Sequence, residues 1–254
     1  MNKGFRRVLA SGELLTGTIV TLDSPAVAER LAAAGFDWLF LDGEHAPLDS
    51  ARIQAILQAV GGRCPCLVRI PAVNEVWIKQ ALDVGADGVI VPRIRNADQA
   101  RQVVEWCRYP PDGSRSVGVG RAQGYGAGLA EYLSRANEDI AVVLQIEHAQ
   151  AVAAIGEICA VKGVDALFVG PYDLSASLGI PGDVTDIRVI DAIERVGDVC
   201  RKQRMAAGIF GIDAEAAKPW IARGFSLIAV GIDTVFLGNA AEAALKAVRG
   251  WERQ

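Results

Sequence analysis

Eight short runs of valine, isoleucine and leucine recur along the chain, each followed by a longer amphipathic stretch. No other feature restricts the fold so strongly. The runs are TGTIVTL (16–22), DWLFLD (37–42), CLVRI (66–70), GVIVP (88–92), AVVLQIE (141–147), ALFVG (166–170), MAAGIF (205–210) and SLIAVG (226–231). Several lack the polar alternation of a half-exposed strand, which fits a parallel sheet covered on both faces. Helical stretches lie at 24–35, 77–86, 98–108, 149–161, 189–202 and 213–224, with Ser24 and Asp98 as expected N-caps. Gly85, Gly163 and Gly224 follow apolar helical faces as C-caps do. Eight such units in 254 residues predict a (β/α)8 TIM barrel, one domain over 1–254, with a doubly wound open sheet as the alternative.

One segment breaks the rhythm. YPPDGSRSVGVGRAQGYGAGLAEYL (109–133) is glycine-rich, proline-marked and joins the fourth unit to the fifth strand. A loop of that length in a small domain is a lid, an interface arm or a plain surface excursion. Its glycines do not form the G-x-G-x-x-G pattern of a dinucleotide site, and no strand immediately precedes it.

The net charge of −4 gives no reason to expect nucleic acid or an anionic membrane as partner. No apolar run approaches the ~20 residues needed to span a bilayer. The stretch MNKGFRRVLASGE lacks the apolar core of a secretory signal, so a cytoplasmic location is expected. Five cysteines, with Cys64-Pro-Cys66 too closely spaced for the usual metal or redox pair, read as reduced, mostly buried thiols.

Charged residues at strand ends point to chemistry. If the strands are as predicted, their carboxyl ends bring Asp42, Glu44, His45, Arg69, Gln145, Glu147 and Asp173 to one barrel mouth. Buried charge of this density calls for compensation by a cation and an anionic ligand. Glu147 and Asp173 offer two hard oxygen ligands for Mg2+, Mn2+ or Co2+, leaving positions for substrate and water. Arg69 presents a planar fork suited to a substrate carboxylate, and His45 is a candidate acid–base group. His148 follows Glu147 and is expected to point away in a packing or supporting role. Two plainer readings stand beside these: Asp42 and Arg69 as a structural ion pair, and Asp173 as an N-cap for the helix after GPYDLSASLG.

At these residues the chain resembles the metal-dependent (class II) pyruvate aldolases of the HpcH/HpaI type, typified by 4-hydroxy-2-oxoheptanedioate aldolase and 2-dehydro-3-deoxyglucarate aldolase. The matching stretches are FDWLFLDGEHAPLD (36–49), VRIPAVNEVWIKQALDVGADGVIVP (68–92), NADQARQVVEWCRYPPDGSRSVG (96–118), LQIEHAQAVAAIGEICAVKGVDALFVGPYDLSASLG (144–179) and AVGIDTVFL (229–237). The resemblance implies a barrel of the phosphoenolpyruvate/pyruvate type. It also implies a homohexamer, a trimer of dimers that shares active sites, with a C-terminal helix at a subunit interface. By resemblance Glu147 and Asp173 are metal ligands, and Arg69 contacts the pyruvate carboxylate. Gln145 and backbone amides near the Gly170–Pro171–Tyr172 turn form the surrounding substrate site. His45 supported by Asp42 is then the acid–base pair, and Asp83 lies near a neighbouring subunit's site.

The implied reaction is reversible cleavage of a 4-hydroxy-2-oxo acid into pyruvate and an aldehyde through a metal-stabilised enolate. A decarboxylase or acyl-CoA lyase using the same chemistry is the enzymatic alternative, and a non-catalytic oxo-acid binder is the alternative from another class. No lysine falls at a predicted strand end, so a Schiff base is not expected. Two departures bear on the aldehyde: AVN (72–74) stands where the family often has tryptophan, and Arg93 where it often has methionine.

Overall fold

All eight expected strands form: β1 (Leu15–Val20), β2 (Trp38–Asp42), β3 (Cys66–Arg69), β4 (Gly88–Val91), β5 (Ala141–Ile146), β6 (Ala166–Val169), β7 (Ala206–Gly211) and β8 (Leu227–Ile232). In the computed structural model, which describes residues 4–250, each strand pairs in parallel with the next and β8 closes on β1. The sheet is therefore a closed barrel and not an open one. Residues 1–3 of the amino-terminal stretch and 251–254 of the expected domain lie outside the described residues.

Twelve α-helices accompany these strands among the described residues. They are α1 (Phe5–Leu9), α2 (Pro25–Ala32), α3 (Ser50–Val60), α4 (Glu75–Asp83), α5 (Ala97–Cys107), α6 (Leu129–Asp139), α7 (Ala149–Ala153), α8 (Ile155–Cys159), α9 (Pro171–Ser177), α10 (Ile187–Gln203), α11 (Ala214–Ala222) and α12 (Asp233–Arg249). Ser24 caps α2 as expected, accepting from the Val27 amide at 3.4 Å. Asp98 does not cap α5. Asn96 does, because its side chain reaches the Gln99 amide at 2.9 Å, and Asp98 sits in the first turn paired with Arg101. The single helix expected over 149–161 breaks at Ala154 (φ −92°, ψ 12°) into α7 and α8.

Two shells of apolar packing carry the fold. Inside the barrel, Trp38, Phe40 and Phe168 form an aromatic wedge, with centroids 6.2 and 5.8 Å apart in edge-on contacts to Phe168. Phe5 and Leu9 of α1 are buried in the same cluster. Glycine at 208 is required there, since a Cβ would meet the Phe168 ring at 2.5 Å. Outside the barrel, residues such as Leu41, Val68, Val91, Leu144 and Val169 are fully or almost fully buried against the helices.

The two rims of the barrel use acid differently. At the amino ends, Asp37, Asp87 and Asp165 each accept from the amide of the first or second residue of a neighbouring strand (Thr16, Cys66 and Val142, all at 2.8 Å). These carboxylates are structural latches. At the carboxyl ends Asp42, Glu147 and Asp233 also accept from backbone amides, but Asp42 and Glu147 do so beside cavities, on the rim where barrel enzymes place their chemistry.

The 109–133 segment is partly ordered secondary structure. A single 3-10 turn covers Gly124–Gly126, and α6 begins within the segment at Leu129. Its anchor is the buried Arg115, which donates to Asp83 Oδ1 at 2.7 Å and to the Tyr132 hydroxyl at 3.2 Å, with its guanidinium 4.6 Å from the Tyr109 ring centre. Val117, Val119 and Tyr125 remain exposed. The five cysteines are free and buried, and burial pushes the Cys64 thiol up to about 12, as expected of inert thiols.

Candidate active site

Strand register builds the first part of the site. Asp42 ends β2 and Arg69 ends β3, and the two lie directly opposite in the parallel pairing. Their side chains form a two-point bridge, Arg69 Nε to Asp42 Oδ1 at 2.9 Å and Nη2 to Oδ2 at 2.8 Å. The guanidinium also lies 5.1 Å from the Phe40 ring centre. Asp42 Oδ1 accepts in addition from the amides of Glu44 and His45 at 3.0 and 3.2 Å, which fixes the turn after β2. Burial alone would raise the Asp42 carboxyl, but the hydrogen bonds and charge of Arg69 and these amides hold it below the usual carboxylate range. Asp42 and Arg69 thus form the buried ion pair that the sequence left open, at the mouth where a ligand would bind.

Glu147 follows β5 and is 6% exposed. Its Oε1 accepts from the Arg93 amide at 2.6 Å, and its Oε2 from Gln145 Nε2. Gln145 and Glu147 therefore share one side of the barrel, as residues two apart on a strand must. Gly170 makes this approach possible: a Cβ there would sit 3.0 Å from Gln145 Nε2 and 3.2 Å from Glu147 Oε2. Burial, reinforced by the charges of Glu44 and Asp173, pushes the Glu147 carboxyl up to about 7 against the pull of the Arg93 amide and Gln145.

Asp173 is not the N-cap of α9. Gly170 occupies that position and Pro171 begins the helix, leaving Asp173 in the first turn with an exposed side chain. There it faces a cavity of about 250 Å3 shared with Glu44, His45, Arg93, Arg95, Glu147 and His148. A second cavity of about 280 Å3 adjoins it through His45 and Asp173. This one is mainly apolar, with Ile19, Phe40, Phe168, Phe210 and Ile232 around Asp42, Arg69, Gln145 and the Gly170–Pro171–Tyr172 turn.

Two further charged residues, Glu44 and Arg95, line the first of these cavities. Glu44 is largely buried, and its Oε2 has no hydrogen-bond partner, lying 3.4 Å from Arg69 Nε and 3.7 Å from His45 Nε2 without hydrogen-bond geometry. Burial raises its carboxyl, with the charges of Arg69 and Arg93 opposing and those of Asp42 and Asp173 adding to the rise. Arg95 follows β4 and meets the strand-end criterion that singled out the others. His148 does not turn away from Glu147 altogether: its Nδ1 caps α7 by accepting from the Gln150 amide at 3.1 Å, while the residue lines the same cavity. Asp83 is absent from both cavities. It ends α4, which runs back from the carboxyl end of β3, and its carboxylate is engaged by Arg115 and by Gln123 at 3.3 Å.

The donor set suits a hard divalent cation. Glu44, Glu147 and Asp173 place three carboxylates around one small cavity, and Glu44 Oε2 and Gln145 Oε1 are buried oxygens lacking partners. Among the described residues, no three His, Cys, Asp or Glu side chains stand together closely enough to hold a metal ion, so a cation here would draw on fewer protein ligands. Carboxylate ligands with open positions are what a catalytic ion requires.

The chain is similar to known proteins over nearly its whole length. The model of the family described as HpcH/HpaI aldolase/citrate lyase matches residues 16–240. A 4-hydroxy-2-oxovalerate aldolase from Rhodococcus jostii is 41% identical over 241 residues, covering 94% of this chain and 93% of its own. A 4-hydroxy-2-oxo-heptane-1,7-dioate aldolase from Escherichia coli is 40% identical over 246 residues, covering 96% and 94%. A crystal structure of an HpcH/HpaI aldolase/citrate lyase family protein from Burkholderia cenocepacia superposes with a TM-score of 0.93 at 39% identity, covering 96% of this chain and 98% of that one.

Proposed function

The chain belongs to the HpcH/HpaI aldolase/citrate lyase family, and on that premise we propose that it reversibly cleaves a 4-hydroxy-2-oxo acid into pyruvate and an aldehyde. The observation that carries this is the convergence of Glu147, Asp173, His45 and Arg69 on two adjoining cavities at the carboxyl rim. Glu147 and Asp173 would hold the cation, Mg2+, Mn2+ or Co2+. When bound, it supplies Lewis-acid stabilisation of the charge that collects on the oxo-acid oxygens during cleavage.

The chain's own residues do the rest. Arg69, held in place by Asp42, orients the oxo-acid carboxylate, with Gln145 and the backbone of Gly170, Pro171 and Tyr172 around it. His45 takes the proton from the 4-hydroxyl as the bond between carbons 3 and 4 breaks. The electron pair of that bond passes to carbon 3, which is then protonated to give the methyl group of pyruvate. In condensation the steps reverse. The apolar walls around Phe40, Phe168 and Phe210 exclude water from the reacting end.

A trimer-of-dimers hexamer accounts for features that one subunit leaves unexplained. Leu237, Leu245 and Val248 of α12 and Val117, Val119 and Tyr125 of the 109–133 segment are exposed apolar side chains. In such an assembly Asp83 would approach a neighbouring subunit's site. No helix among the described residues is long and apolar enough to cross a membrane, and the cytoplasm is the proposed location.

The test is pyruvate release from 4-hydroxy-2-oxoheptanedioate and 2-dehydro-3-deoxyglucarate, with oxaloacetate assayed alongside. Cleavage of either hydroxy acid supports the aldolase. Turnover of oxaloacetate with neither hydroxy acid cleaved would transfer the site to a decarboxylase.

A further inference from the structure

Two cations at the end of β4 have no part in the mechanism above. Arg93 and Arg95 are both exposed, and both line the cavity that contains Glu147 and Asp173. Their hydrogen bonds run through backbone amides, Arg93 to Glu147 Oε1 at 2.6 Å and Arg95 to Gln99 Oε1 at 2.8 Å. Neither guanidinium makes a hydrogen bond or comes within 4 Å of a carboxylate among the described residues, although three carboxylates share the cavity and the charge of Arg93 acts on Glu44 from a distance. Arg93 also has left-handed backbone (φ 60°), a conformation disfavoured for a residue with a side chain. The peptide geometry that delivers its amide to Glu147 thus fixes the base of the Arg93 side chain at the cavity.

The two cavities divide the substrate. They meet at His45 and Asp173, and the pyruvate half belongs to the cavity with Arg69 and Gln145. The aldehyde half then extends into the cavity with Arg93 and Arg95. Two unpaired guanidiniums at its wall complement an anion, and they would repay a neutral chain with nothing.

We propose that Arg93 and Arg95 are specificity-determining residues that receive an anionic group at the far end of the aldehyde, so that anionic aldehydes are preferred to neutral ones of equal length. This rests on the aldolase reading, and it adds to that reaction a pair of residues that discriminates between aldehydes.

The experiment compares condensation with pyruvate for 4-oxobutanoate against pentanal, and for glyceraldehyde 3-phosphate against glyceraldehyde. The measured quantity is the ratio of kcat/KM for the charged over the neutral aldehyde. The wild-type ratio should be at least about 10 for one pair, and which pair shows it distinguishes carboxylate from phosphate. In Arg93→Gln/Arg95→Gln the ratio should fall at least about tenfold, and Arg93→Lys/Arg95→Lys should recover part of it. A wild-type ratio near one, or a ratio unchanged by the glutamine pair, overturns the proposal while leaving the aldolase intact. If no aldehyde condenses, the aldolase reading fails, and calorimetry with succinate decides on the arginine pair. Binding weakened at least about tenfold in the glutamine variant supports the anion site, and equal binding rejects it.

Discussion

Asp42 and Arg69 sit opposite each other at the ends of two neighbouring strands and meet through two parallel hydrogen bonds of 2.9 and 2.8 Å. Asp42 also accepts from two amides of the turn that carries His45. One carboxylate therefore positions both the cation that would hold the oxo acid and the loop that bears the acid–base group. Asp42→Ala leaves the Arg69 guanidinium with only the Glu44 carboxylate, 3.4 Å away, as its anion and should cost roughly 3 kcal/mol of stability. Replacing both partners, Asp42→Leu with Arg69→Met, should cost much less than the sum of the single changes. Urea unfolding of the four proteins checks this, and additive losses would mean that the pair is not coupled.

The metal-free chain should show the strain of Glu147. Its carboxyl is raised from 4.5 to about 7, chiefly by burial. A carboxyl raised in the folded state contributes stability that is present below about 4.5 and lost as pH climbs through about 7. Glu147→Gln removes that loss. In EDTA the variant's Tm should therefore gain on that of the wild type between pH 5 and pH 8. A difference in Tm that stays constant across this range would refute the assignment of an energetically costly carboxylate there.

His45 is largely exposed, at 63% of its side-chain surface, so replacing it should spare the fold. His45→Gln should lower kcat for pyruvate release by about 10²- to 10⁴-fold, with an unchanged circular dichroism spectrum. Undiminished kcat would remove it from the mechanism.

Arg115 is the anchor of the glycine-rich segment, with no exposed side-chain surface and Asp83 at 2.7 Å. Arg115→Ala strands the Asp83 carboxylate and the rings of Tyr109 and Tyr132, and should cost roughly 3–5 kcal/mol. Unfolding free energies within about 1 kcal/mol of wild type would show that the segment holds its shape without this contact.

The barrel was legible because burial on both faces leaves a strong mark: β2 reads WLFLD and β6 ALFV, with no polar alternation to dilute the signal. Glu147 was legible for the opposite reason, since a carboxylate directly after a buried strand has no packing role, whereas Asp173 shared its signal with a helix-capping reading. Much else depended on contacts that a linear pattern does not carry. Asn96 and Asp98 are both good caps in sequence, and only the path of the chain selects Asn96. The glycines of 109–133 suggested a structureless loop, yet the buried Arg115 orders it from within. Arg93 showed its charge but not its left-handed backbone or its amide's grip on Glu147. Glu44 was visible at the mouth, whereas its unpartnered oxygen emerges only from the packing of Arg69 and His45 around it.

Carbon–carbon cleavage at this mouth should require a cation held by Glu147 and Asp173. The most direct measurement is pyruvate release from 4-hydroxy-2-oxoheptanedioate by EDTA-treated protein, before and after Mn2+ is restored, for the wild type and for Glu147→Gln and Asp173→Asn. The predicted result is activity lost on chelation, recovered with Mn2+ in the wild type, and absent from both variants although they remain folded. Full activity after exhaustive chelation, or from either variant, would contradict it.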